Sequence, residues 1–295
     1  MDIRVLRYFV EVVQLNGFSR AADVLCITQP AISRSIKKLE DELGVILLVR
    51  EVNGVRLTDD GAILFEYAKQ ILAQFNDMNK ALQDKSGPLT GTLNVGLPPV
   101  IASTYFADII MAFSSRHPQV ELKIFELGTK QMADAMREGI VETAAVVLPF
   151  NEDTVELTPF SEDHLMLLMS PSHPLAIKKE VHFNELINEP FILFSEKFRI
   201  NDLIYSACGI YNKEPIIAGR SNHLDLIIAM VKAGVGVTLL PNSMCNKNPI
   251  DDLIVLPVVE PTLSYQIALA NNKDGYKSRS CQAWDQLARE KLVIE

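Results

Sequence analysis

The sequence has no surplus of basic residues. Its 28 Lys and Arg face 37 Asp and Glu, a formal net charge of −9. That balance excludes a non-specific nucleic-acid coat, so any DNA contact must come from a local basic face. Cysteine is scarce: Cys26, Cys208, Cys245 and Cys281 lie too far apart for a zinc knuckle or a CxxC pair and read as buried, reduced thiols. The five histidines are scattered. His117 and His173 each precede proline, and Asp163-His164 reads as a solvated loop rather than a metal pair. GxSxG, HExxH and Walker A motifs are missing, and Gly234-Val235-Gly236 lacks the rest of a phosphate loop. No catalytic residue, metal or cofactor is expected. The longest charge-free stretch, residues 86–107, is full of Gly, Pro, Ser and Thr and does not read as a membrane span. The start, MDIRVLRYFVEVV, has no export-leader pattern. A cytoplasmic protein without a membrane partner is expected.

What is present suits several modules. The 295 residues are 48% apolar and 22% charged, which reads as globular with more than one core. Leu6, Phe9, Val10 and Val13 follow helical spacing, so residues 3–15 form a helix that Asn16-Gly17 stops. Ser19 suits the N-cap of a short helix over residues 20–26, where Ala21 and Ala22 permit close helix approach. Thr28 suits the next N-cap, with Pro30 in the first turn. Ile32, Ile36, Leu39 and Leu43 then make one buried stripe. Gln29, Ser33, Arg34, Lys37 and Lys38 lie off it, a donor-rich face suited to a recognition helix in a major groove. Arg and Gln read base edges, while Lys37 and Lys38 suit phosphates. The plain alternative is a solvated face, because Lys37–Asp41 and Lys38–Glu42 are i, i+4 pairs. Residues 1–58 carry eight basic and seven acidic side chains, +1, which leaves −10 on the remainder. After Leu43-Gly44, two β-rich pieces flank Asn53-Gly54, a hairpin signal for a wing bearing Arg50 and Arg56.

Thr58 suits an N-cap with Asp59 and Asp60 in the first turn. Leu64, Ile71, Phe75, Met78 and Leu82 follow at heptad-like spacing, a seam for pairing two chains. A helix over 59–84 would be about 39 Å long, and pairing would set two recognition helices about 34 Å apart on DNA. The segment from Ser86 to Gly91 reads as a linker. Beyond it, Thr92–Gly96, Val120–Leu127 and Thr143–Leu148 alternate with helical stretches in a βαβ pattern of a parallel sheet. Further strands are expected near 165–170, 191–194, 215–218, 235–240, 253–258 and 264–270, with a last helix over 277–290. In such folds ligands lie at strand carboxyl ends against helix N-termini. That selects the loops 97–104, 128–129, 148–150 and 195–201. Thr129 also suits a plain N-cap, and Arg199 a surface charge.

Three runs are diagnostic: Phe18-Ser19-Arg20-Ala21-Ala22, then Thr28-Gln29-Pro30-Ala31-Ile32-Ser33-Arg34-Ser35-Ile36, then Leu39-Glu40-Asp41-Glu42-Leu43-Gly44. With Arg50 and Leu57-Thr58-x-x-Gly61, they resemble the LysR-type transcriptional regulators. The likeness departs at Leu48, Val49 and Asn53, where that family usually has an aromatic, an acidic and a basic residue. It implies an α/β protein with an N-terminal winged helix-turn-helix (1–58), a linker and dimerisation helix (59–86), and a type 2 periplasmic-binding-protein-like effector domain (90–295). That domain divides into subdomain I, about 90–162 and 266–295, and subdomain II, about 163–265. The implied DNA contacts are Ser19, Arg20, Thr28, Gln29, Pro30, Ser33, Arg34, Lys37, Lys38 and Arg50. The candidate effector contacts are Pro99, Val100, Ser103, Gly128, Thr129, Leu148, Phe194, Ser195, Arg199 and Asn201. Thr129 matches a ligand-binding threonine of the family. Val100 and Leu148 stand where some relatives carry a serine and an arginine, which argues against a dicarboxylate. The implied partners are double-stranded promoter DNA, a small-molecule effector such as a small organic acid, RNA polymerase, and further copies in a homodimer or homotetramer. The rival class is an enzyme or solute-binding protein on the same effector fold.

Overall fold

The computed structural model describes residues 2–292 except 53, 85, 86, 248, 249, 251 and 274, and not the side chain of residue 83. The hairpin signal at Asn53, the linker start at Ser86 and the last residues of the 90–295 domain lie outside the described residues.

The chain divides into two compact units. The first contains α1 (Ile3–Gln14), α2 (Phe18–Leu25), α3 (Gln29–Leu43), the antiparallel hairpin β1 (Leu48–Glu51) and β2 (Gly54–Leu57), and α4 (Asp59–Gln83). Its core is Leu6, Phe9, Val10, Val12, Ala21, Ala22, Ile32, Ile36, Leu39, Leu47, Leu48 and Ala68. Three expectations are corrected here. Gly17, not Ser19, precedes the first turn of α2, because half-buried Phe18 already begins the helix against the core. Leu43 is exposed, since the last turn of α3 runs beyond the core and Leu47 and Leu48 fill that space instead. Cys26 is exposed rather than buried, because it ends α2 in the left-handed region (φ 54) on the outer side of the turn.

The start of α4 shows why sequence dictates a close junction. Thr58 Oγ1 accepts from Gly61 N at 2.9 Å and donates to Ile46 O at 2.6 Å, so one hydroxyl caps the helix and ties it to the wing. A Cβ on Gly61 would lie 2.0 Å from Leu47 O, which only glycine avoids.

The second unit holds β3 (Gly91–Gly96), α5 (Pro99–Ile101), a π-helical turn (Ala102–Phe106), α6 (Ala107–Arg116), β4 (Val120–Phe125), α7 (Thr129–Arg137) and β5 (Thr143–Val147). It continues through β6 (Val155–Met169), β7 (Val181–His182), β8 (Pro190–Phe194), α8 (Ile200–Ile210), β9 (Ile216–Ser221) and α9 (Leu224–Lys232). The chain closes with β10 (Thr238–Pro241), α10 (Asn242–Lys247), β11 (Ile254–Val259), β12 (Ser264–Asn272) and α11 (Arg279–Leu292). The path β4-β3-β5-β12-β6-β11-β7 forms one curled sheet, with β10 also on β6, and β8 pairs with β9. The βαβ pattern holds where β3 lies parallel to β4 and β5. β12 and β6 run antiparallel, so the sheet is mixed. The strand expected near 165–170 is the end of a 15-residue strand. Its first part, from Val155 to His164, pairs with β12, and its last, from Leu165 to Met169, with β10 and β11. β6 thus serves two different strand neighbourhoods along its length. Trp284 on α11 is fully buried against Phe106 and Phe113, at centroid distances of 6.2 and 5.4 Å.

Candidate nucleic-acid interface and ligand cavity

α3 presents the expected face. Thr28 precedes it in an extended conformation (φ −80, ψ 140), its hydroxyl makes no cap bond, and Pro30 stands in the first turn. Ser19, Arg20, Thr28, Pro30, Arg34, Lys37, Lys38 and Arg50 are exposed, and Gln29 and Ser33 half-buried. Lys37 lies 3.7 Å from Asp41, a loose surface pair that leaves its charge available. Arg20 donates to Asn16 O. Arg50 Nη2 donates to Ser33 Oγ at 2.5 Å, and its guanidinium lies 4.5 Å from the Phe18 ring centroid. A concave surface of about 500 Å³ runs from Asn16–Arg20 past Gln29 to Arg50 and the wing.

Residues that sequence reasoning missed hold this surface in shape. Asn16 Oδ1 accepts from Val55 N at 2.9 Å, and Glu40 Oε1 from Leu47 N at 2.8 Å and Leu48 N at 3.2 Å. The wing is thereby fastened to both the α1–α2 turn and α3. Arg56 pairs with Glu51 at 2.8 Å across the hairpin. On α4, Leu64 packs on the winged-helix core and Phe75 is half-buried, while Ile71, Met78 and Leu82 are exposed beside Ile63 and Tyr67.

In the second unit, a cavity of about 20 Å³ is lined by Pro98, Val100, Ile101, Thr129, Val147, Phe194, Phe198, Arg199, Ile200, Met244 and Tyr265. That volume is room for about one water. A Cβ on Gly128 would meet Lys197 O at 2.3 Å, so the start of α7 comes close to the turn before α8. Of the candidate effector residues, Val100, Thr129, Phe194 and Arg199 line this cavity. Pro99, Ser103, Gly128, Leu148, Ser195 and Asn201 stand outside the lining. Ser103 donates to Val100 O at 3.2 Å, and Leu148 packs against a separate cluster around Met132 and Phe150. Phe198, Met244 and Tyr265 carried no sequence signal beyond being apolar near loops.

Thr129 is 5% exposed and its Oγ1 accepts from Val147 N at 3.3 Å, joining the start of α7 to β5. Asn201, 2% exposed, donates to Phe194 O and Ser195 O at 3.0 and 2.8 Å and shapes the turn into α8. On that turn Ser195 Oγ, Arg199 Nε and Asn201 Oδ1 are buried with no hydrogen-bond partner among the described residues. Burial, the neighbouring Tyr105 and then Asp163 push the Tyr265 hydroxyl well above its ordinary value, so it stays neutral. Among the described residues no group of His, Cys, Asp and Glu could hold a metal, and no helix is long and apolar enough to cross a membrane.

Two family models match: the bacterial regulatory helix-turn-helix protein of the lysR family over residues 3–62, and the LysR substrate binding domain over residues 86–293. The uncharacterized HTH-type transcriptional regulator YwbI of Bacillus subtilis is 36% identical over 96% of this chain and 94% of its own. The HTH-type transcriptional regulator BenM of Acinetobacter baylyi is 30% identical over 92% and 90%. Among solved structures, full-length OxyR from Pseudomonas aeruginosa superposes with a TM-score of 0.70 at 29% identity, covering 100% of this chain and 96% of that one. Full-length BenM gives 0.60 at 29% identity, covering 98% and 96%. With a winged helix-turn-helix, a long helix and a two-lobed effector domain in one chain, the protein belongs to the LysR-type family of DNA-binding transcription regulators and is not an enzyme.

Proposed function

We propose that α3 reads operator DNA through Gln29, Ser33 and Arg34, with Arg20, Lys37, Lys38 and Arg50 on the phosphates and Ser19, Thr28 and Pro30 at the backbone entry. The observation that carries this reading is the Arg50–Ser33–Phe18 contact, which sets the wing beside the start of α3. One side contributes flat, bidentate donors for base edges and the other point charges for phosphates. Two copies paired through Ile71, Phe75, Met78 and Leu82 of α4 would present two such faces to one operator. Promoter DNA, RNA polymerase and a further copy are the macromolecular partners, in the cytoplasm.

A small organic acid in the lobe cavity modulates this binding. Support comes from Arg199, which lines the cavity with its Nε unpartnered among the described residues, and from the helix starts at Thr129 and Ile200, which favour negative charge. The acid closes the cleft, shifts the packing between copies and with it the balance of states by about 1–3 kcal/mol, enough to change promoter occupancy. Val100→Trp, whose ring is far larger than the space beside it and so blocks the cavity by overpacking it, tests the coupling: its DNase footprint on the chain's own upstream DNA should differ in extent from that of the wild type. Identical footprints would refute it.

A further inference from the structure

Resting on the reading of α3 and the wing as the DNA-facing surface, we propose that Asn16 is a positioning residue for operator recognition. It holds the wing in the one place from which wing and α3 engage an operator together.

The backbone comes first. Asn16 follows Leu15, the C-cap of α1, at φ 48, in the left-handed region. Asn16 N donates to Val13 O at 3.0 Å and Gly17 N to Val12 O at 2.9 Å, the two nested bonds of a Schellman ending. Glycine takes this conformation most cheaply, and asparagine tolerates it. Here the asparagine side chain is put to use: its Oδ1 accepts from Val55 N of β2 at 2.9 Å. Because two bonds fix the backbone that carries it, this acceptor stands at a fixed point beside the wing.

The wing is shaped to meet it. A Cβ on Gly54 would lie 2.2 Å from Asn16 Oδ1, and Gly54 has φ 146, so glycine lets the hairpin come this close. Val55 is the cross-strand partner of Arg50. That single rung of the hairpin is gripped from two sides, Arg50 by Ser33 and the Phe18 ring, and Val55 by Asn16. The Asn16 carbonyl also accepts from Arg20 Nη2, so the same residue places a second side chain of the DNA-facing surface. Asn16, Phe18, Arg20, Arg50, Gly54 and Val55 all line the concave surface between the α1–α2 turn and the wing.

The Asn16–Val55 bond is exposed, and water competes for both partners, so its net contribution to folding is small. Its value lies in geometry. A wing already held in place loses little freedom when DNA arrives, whereas a loose wing must be ordered on the operator. Random DNA, bound through phosphates in many registers, demands no single wing position. Asn16 therefore acts on the preference for operator and not on general affinity.

The test is fluorescence anisotropy of the full chain on its own upstream DNA and on a random fragment of equal length, with hydroxyl-radical footprints, for wild type, Asn16→Gly and Asn16→Asp. Glycine suits φ 48 and removes only the side chain, so Asn16→Gly should keep the wild-type melting temperature and the affinity for random DNA. It should bind the upstream DNA about fivefold more weakly, the worth of one hydrogen bond, and lose protection at the wing-side edge of the footprint. Asn16→Asp keeps an acceptor for Val55 N and should retain that edge, although its added charge weakens binding to both fragments. Unchanged affinity of Asn16→Gly for the upstream DNA, an equal loss on both fragments, a footprint of full extent, or an Asn16→Asp footprint that also lacks the edge would overturn the proposal. Arg34→Ala separates the two readings. If it loses the preference for upstream DNA while Asn16→Gly keeps it, only the role of Asn16 falls; if Arg34→Ala and the wild type each bind both fragments alike, the reading of α3 falls with it.

Discussion

Arg50 on the wing lies with its guanidinium 4.5 Å from the ring centroid of Phe18 at the start of α2, and the same group donates to Ser33 Oγ on α3 at 2.5 Å. One side chain therefore holds three elements of the DNA-facing surface in register. Stacking a flat cation on a ring while donating in its plane is something an ammonium does poorly. Arg50→Lys should weaken operator binding by about 1 kcal/mol, roughly fivefold, although it keeps the charge. Fluorescence anisotropy on one operator checks this, and equal affinity for the two proteins would mean that Arg50 acts as a charge alone.

Gly61 gives a stability prediction. Its missing Cβ is the space occupied by Leu47 O, 2.0 Å away. Backbone cannot yield as a side chain can, so Gly61→Ala should destabilise the winged-helix unit by about 2–3 kcal/mol. A urea melt followed by helix content measures it, and an unchanged midpoint would show that the α4 start shifts freely.

Burial raises the Asp285 carboxyl above the usual aspartate range, outweighing the hydrogen bond from Thr143 and the nearby Lys277 and Arg289. An acid whose folded-state value is raised costs stability in its charged form. That cost is present at neutral pH and is relieved as pH falls through the folded-state value. Asp285→Asn keeps an acceptor for Thr143 Oγ1 at 3.0 Å. Its melting temperature at pH 7.5 should equal or exceed that of the wild type, with a flatter dependence towards acid. A lower melting temperature at pH 7.5 would contradict the sign.

The thiols divide by exposure. Cys26 is exposed, Cys208 is raised by burial, and burial with the nearby Asp163 charge pushes Cys245 up to about 12. Thiolate is the reactive form. Iodoacetamide should label Cys26 first, with Cys208 and Cys245 reacting only on unfolding. Rapid native labelling at Cys245 would show that its helix opens.

The winged-helix unit was legible because its signals are local. Helical stripes, caps and a hairpin each depend on a few neighbouring residues, and the expectations for Ser19, Leu43, Cys26 and Leu64 fail where tertiary packing outranks local preference. The effector unit was less legible for a physical reason. The first half of β6 includes Pro159 and a run of polar, partly exposed residues, so its strand character comes from pairing with β12, more than a hundred residues away. The cavity wall combines loops that are distant in sequence, which is why Val100, Thr129, Phe194 and Arg199 could be named from helix starts and strand ends while Met244 and Tyr265 could not.

The most direct test of the central claim is operator binding across a salt series by the wild type, Arg34→Ala and Lys37→Ala. If α3 reads DNA as described, Arg34→Ala should lose about 1–3 kcal/mol on the operator and little on random DNA, while Lys37→Ala should weaken both and reduce the salt slope by roughly 0.9. Equal, weak retention of operator and random DNA by all three proteins, with one common slope, would contradict it.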